Sequence, residues 1–86
     1  MPWRLTLTRC AERDLATLSR SQCQAVIETL ERAATDPGSV DLAKLRGRPD
    51  EWRIRSGGYR AIVQLDNQAG LMIVIRVLQG KDAYRD

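Results

Sequence analysis

Eighty-six residues, 43% apolar and 29% charged, describe one globular domain with a modest core, neither a disordered chain nor several domains. The net charge is +3, but it is uneven: residues 1–40 balance five Arg against five acids, whereas residues 41–86 set nine Arg and Lys against six acids. A neutral half beside a basic half reads as a scaffold carrying a surface for a polyanion. The longest apolar run, Leu71–Ile75, is far too short to span a membrane, and the opening MPWRLTLTR holds no apolar signal segment, so a cytoplasmic protein is expected.

Trp3, Leu5 and Leu7 alternate with Arg4 and Thr6, the period of a half-buried strand. Thr8 is a helix cap, and from Arg9 to Leu18 the apolar Ala11, Leu15 and Leu18 recur at helical spacing. The polar run Ser19-Arg20-Ser21-Gln22 interrupts that pattern. Ser19 or Ser21 is the next N-cap, with Gln22 or Gln24 as its capping-box partner. A second helix follows to about Ala34, striped by Cys23, Val26, Ile27, Leu30, Ala33 and Ala34. So short a break between two amphipathic helices predicts an antiparallel helical hairpin. Cys10 and Cys23 have no CxxC spacing and no companion ligands, and are expected to be small buried hydrophobes.

Asp36-Pro37-Gly38-Ser39 stops the second helix. Asp41 to Arg46 is expected to form one helical turn pinned by Leu42 and Leu45. Three strands then follow, at about Glu51–Arg55, Tyr59–Asp66 and Leu71–Leu78. Ser56-Gly57-Gly58 supplies the first hairpin turn and Asp66–Gly70 the second. The last strand is apolar on both faces and belongs inside the sheet. The predicted fold is α+β, in the order β-α-α-β-β-β, with the helical hairpin on one face of a mainly antiparallel four-stranded sheet. The whole chain, residues 1–86, is read as one domain.

There is no His, which removes Ser-His-Asp and Cys-His catalysis and the common zinc sites. No nucleotide-binding glycine motif occurs either, and no cofactor or metal is expected. Arg, Lys, Tyr and isolated carboxylates remain, and they suit cleavage of an RNA phosphodiester, where the adjacent 2′-OH is the nucleophile. The protein must then hold that hydroxyl in line, stabilise charge on the phosphate oxygens and move two protons. Arg matches phosphate oxygens and is a poor base, so Lys or Tyr would carry the protons.

With a four-residue Ser56–Tyr59 loop, Arg55 stands opposite Arg60 and Arg53 opposite Ile62. Arg53, Arg55 and Arg60 then share one face, and Trp52, Ile54, Ala61, Val63 and Leu65 meet the helices. The plain alternative is a solvated strand face whose arginines pair with Asp50, Glu51 or Asp66. Arg76, a lone charge in an apolar strand, either pairs with a carboxylate or opens into the same concavity. Trp3 and Trp52 are in phase with aliphatic neighbours and are expected in the core or covering an edge of the sheet, not as base-stacking platforms. Tyr84 lies among Lys81, Asp82 and Arg85 and has little reason to be buried.

A strand, a helical hairpin, "KLRG" at Lys44–Gly47, an alternating basic strand leading into "SGGYR" at Ser56–Arg60, and a closing "KDAYR" at Lys81–Arg85 together resemble the RelE/ParE superfamily of toxin–antitoxin toxins. The resemblance covers essentially the whole chain and favours the RelE-like branch. It implies a ribosome-dependent mRNA endonuclease (mRNA interferase), with the ribosome, mRNA and a cognate antitoxin as partners. Arg53, Arg60, Lys81 and Tyr84 would be catalytic, and Lys44, Arg46, Arg48, Arg55, Arg76 and Arg85 would bind RNA. The chain departs from the pattern at Gln79-Gly80, where many members carry a basic pair. The ParE branch shares the fold but inhibits DNA gyrase, so fold likeness leaves two alternatives open: a gyrase inhibitor or a non-catalytic RNA-binding member.

Overall fold

The computed structural model describes residues 3–79. The chain runs through β1 (Arg4–Leu7), α1 (Arg9–Ala16), α2 (Arg20–Thr35), a 3₁₀ turn (Pro37–Ser39), β2 (Asp41–Lys44), β3 (Glu51–Ser56), β4 (Tyr59–Asp66) and β5 (Leu71–Gln79). The five strands form one mixed sheet in the order β1-β5-β4-β3-β2, so the apolar β5 does lie inside it. β1 runs parallel to β5, with Arg4 opposite Leu71 and Leu7 opposite Val74, and the other pairings are antiparallel.

Local sequence explains the helices. The Thr8 hydroxyl accepts the Ala11 N–H at 3.1 Å and donates to the Ile75 carbonyl at 2.8 Å, so one residue caps α1 and ties its start to β5. Ser19 is the cap of α2. Its hydroxyl accepts from the Gln22 N–H and the Gln22 side chain accepts from the Ser19 N–H, both at 3.2 Å, a full capping box. Pro37 follows the end of α2 and cannot continue it.

The predicted α+β class holds, but one element changes and the sheet has five strands instead of four. Asp41–Lys44 is not a helical turn; it pairs antiparallel with β3, Asp41 opposite Arg55 and Lys44 opposite Trp52. Leu42 and Leu45 mimic helical spacing, yet Val40 and Leu42 also fit period two, and four residues gain more from the open edge of β3 than from an isolated helical turn. Cys10 also departs from expectation, because it is exposed, while Cys23 is half-buried against the core.

The core joins Ala11 and Leu15 of α1 and Val26, Leu30, Ala33 and Ala34 of α2 to Ile54, Ala61, Val63, Met72, Val74 and Val77 of the sheet. Trp3, Leu65 and Trp52 pack against its margin, in phase with their aliphatic neighbours. Leu30, Ile54, Met72, Val63 and Val74 are its largest fully buried side chains. Burying each such side chain stabilises the fold by roughly 1.5–3 kcal/mol.

A bulge interrupts β5. Ile62 faces Arg76 whereas Val63 faces Val74, leaving Ile75 as an extra residue. In a regular strand Arg76 would point the same way as Met72 and Val74, into the core. The bulge turns Arg76 to the opposite face and brings Val77 inward, where it is buried.

Candidate nucleic-acid interface

The β3–β4 hairpin fixes the site. Gly57, at φ 58°, starts a two-residue turn between the paired Ser56 and Tyr59, and Gly58 does not share its positive φ, as a type II′ turn requires. That turn sets Arg55 opposite Arg60 and Arg53 opposite Ile62, the register the sequence predicts. Ile62 in turn faces Arg76 across β4 and β5. Arg53, Arg55, Arg60 and Arg76 therefore stand on one sheet face, while Ile54, Ala61 and Val63 fill the other.

The four arginines differ in depth. Arg60 is buried at 6% exposure, the Arg53 side chain is 20% exposed, and those of Arg55 and Arg76 are 43% and 47% exposed. The Nε atoms of Arg53 and Arg60 are both sealed from solvent. Burial places the Arg60 side chain where solvent screens charge poorly. Arg55 and Arg60 stand directly opposite each other in the β3–β4 register, so two guanidinium groups share one cross-strand pair. The face is cationic, with its arginines buried to different degrees and Arg60 the most buried.

Among the described residues, two carboxylates that the sequence does not single out lie against these arginines. Asp41, on β2, places Oδ1 3.4 Å from an Arg53 terminal nitrogen and Oδ2 3.5 Å from Arg55 Nε. Asp14, near the end of α1, accepts from Arg76 Nε at 2.8 Å, from an Arg76 terminal nitrogen at 3.2 Å, and from the Val77 N–H at 2.9 Å. Of the two alternatives for Arg76, the carboxylate pair is the one found. Burial alone would raise the Asp14 pKa, but the hydrogen bonds from Arg76 and Val77 and the charge of Arg76 outweigh it and hold the carboxyl below its ordinary value. The Arg76 guanidinium is correspondingly pushed up, first by its hydrogen bond to Asp14 and then by the Asp14 charge.

The remaining basic positions are dispersed. Lys44 lies opposite Trp52 and so belongs to the helix-bearing face of the sheet, away from Arg53. Arg46 and Arg48 lie in the exposed β2–β3 connection, where Arg48 pairs with Glu51 at 3.3 Å. Lys81, Tyr84 and Arg85 lie outside the described residues.

A small α+β domain with a cationic sheet face opposite its helices is the architecture of the toxin half of a type II toxin–antitoxin pair. The family model for the ParE toxin of the type II toxin–antitoxin system, parDE, matches residues 5–84, and the chain belongs to that family. Its structure is RelE-like. A chain of the toxin–antitoxin complex RelBE2 from Mycobacterium tuberculosis is 26% identical over 92% of each chain, with a TM-score of 0.81. A mutant of the Escherichia coli toxin RelE in the free state is 25% identical over 96% of this chain and 88% of its own, with a TM-score of 0.79. A chain of the intact E. coli RelBE toxin–antitoxin complex is 26% identical over 90% of this chain and 95% of its own, with a TM-score of 0.75. No curated protein matches the sequence significantly. No described helix is long and apolar enough to cross a membrane.

Proposed function

We propose that this toxin is a ribosome-dependent mRNA endonuclease. The observation that carries the reading is the meeting of Arg53, Arg55 and Arg60 on one sheet face at graded depth. The nucleophile is supplied by the RNA itself: the 2′-OH attacks the adjacent phosphorus as its proton leaves, and the 5′-oxygen departs as it gains one. Arg60, the most buried of the set, grips the scissile phosphate. Arg53 stabilises the charge that grows on its equatorial oxygens. Arg55 anchors a neighbouring phosphate, and Tyr84 and Lys81 serve the 2′-OH and the leaving oxygen. A cognate antitoxin with an acidic amphipathic segment covers the face and silences it.

Primer extension on mRNA from purified translating ribosomes tests the proposal. Wild type introduces new 5′ ends in the occupied decoding site, and Arg60→Ala with Tyr84→Phe removes them. No new ends from wild type, or equal cutting by the double variant, defeats it. The match to the ParE model favours a second reading, a DNA gyrase inhibitor. That reading predicts arrested supercoiling with mRNA intact.

A further inference from the structure

We propose that Asp41 is a built-in competitor for the phosphate that the arginine face binds, an inference that rests on the RNA-binding reading of that face. Asp41 stands opposite Arg55 in the β2–β3 register, two pairs along from Ala43 opposite Arg53 and on the same face. Each of its carboxylate oxygens reaches one guanidinium, Oδ1 to Arg53 at 3.4 Å and Oδ2 to Arg55 at 3.5 Å. That two-pronged bridge has the form of a phosphodiester binding the same pair through its two non-bridging oxygens.

The bridge is loose. Both contacts are well beyond the 2.7–2.9 Å of a strong charge-assisted hydrogen bond, and the Asp41 side chain is 50% exposed. A loosely held carboxylate between two cations does little for stability, since exposed ion pairs contribute little. It does lower the positive potential of the face and must be displaced, or left repelling, when a phosphate arrives. Asp41 therefore lowers affinity for RNA and, with it, for any polyanion that lacks the right spacing. The residue is a positioning and tuning group: it acts through Arg53 and Arg55 and touches no reacting atom.

Titration of a short fluorescent single-stranded RNA with the full chain, followed by anisotropy, tests this. Asp41→Asn binds about fivefold tighter than wild type near 0.1 M salt, the combined effect of freeing two exposed pairs. The gain shrinks as salt rises, because those pairs are screened. Glu28→Gln removes the same charge from the exposed side of α2 and gives less than about a twofold gain. Thermal melts check that Asp41→Asn is folded, and Asp41→Ser replaces it if it is not. Unchanged or weaker RNA binding by a folded Asp41 variant overturns the inference, as does an equal gain from Glu28→Gln. Tighter binding of polyglutamate without tighter RNA binding overturns it too, by assigning the bridge to an acidic protein partner. Arg53→Ala and Arg60→Ala test the underlying reading separately: if neither weakens RNA binding, the face is not the RNA site, whatever Asp41 does.

Discussion

Asp14→Ala removes the group that closes the edge of β5 beyond the end of β1. The Val77 N–H loses its acceptor at 2.9 Å, and Arg76 loses both of its contacts. The Asp14 side chain is 18% exposed, so the orphaned N–H is only partly rehydrated. An unsatisfied, mostly buried donor costs about 1–3 kcal/mol, so a loss near 2 kcal/mol is expected. For a chain of this size that lowers the Tm by about 8–16 °C. Asp14→Asn keeps an oxygen for Val77 and loses the charge, so its Tm falls about half as far. Calorimetry at neutral pH with both variants and with Arg76→Ala gives the comparison. If Asp14→Ala and Arg76→Ala destabilise equally, the ion pair dominates and the edge-closing role of Asp14 is refuted.

The same carboxyl sets an acid limit. Its pKa lies below the ordinary 3.8 when folded, so the folded state holds fewer protons than the unfolded chain there. Its contribution is present above that ordinary value and is lost as pH falls through the folded pKa; urea midpoints measured downward from pH 5 decline less steeply in Asp14→Asn. Met72 is 0% exposed, so Met72→Ala costs about 3 kcal/mol and shifts the urea midpoint with little change in slope. Nothing lies within 4 Å of a Cβ added at either hairpin glycine, so backbone conformation alone separates them. Gly57→Ala, at φ 58°, costs about 1–2 kcal/mol, and Gly58→Ala less than about 0.5 kcal/mol, readable by thermal melting.

The parts of the fold legible in the sequence are those that local chemistry dictates. Thr8 and Ser19 are caps wherever a helix follows them, and the alternation of Trp52, Arg53, Ile54 and Arg55 admits one buried face. With the glycines at 57 and 58, that alternation fixes the cross-strand register and the face shared by Arg53, Arg55 and Arg60. β2 was harder to see because Leu42 and Leu45 imitate a helix over four residues, and its pairing depends on an edge that exists only after β3 has formed. Missing β2 also hid Asp41, whose approach to Arg53 and Arg55 follows from that pairing. For Arg76 the sequence leaves a carboxylate pair and exposure beside the other arginines as alternatives, and it does not reveal the face. Its parity groups it with Met72 and Val74, and only the bulge at Ile75, set by the packing of β5 against β4, reverses it. Asp14 is linked to Arg76 across 62 positions of sequence, a distance no local pattern spans.

The role proposed for the arginine face is to act on RNA within translation. Incorporation of labelled amino acid and labelled thymidine, followed side by side after induction of the toxin in growing cells, tests it most directly. Protein synthesis is expected to stop first while DNA replication continues, and Arg60→Ala is expected to restore synthesis. Early arrest of replication with protein synthesis sustained would contradict it.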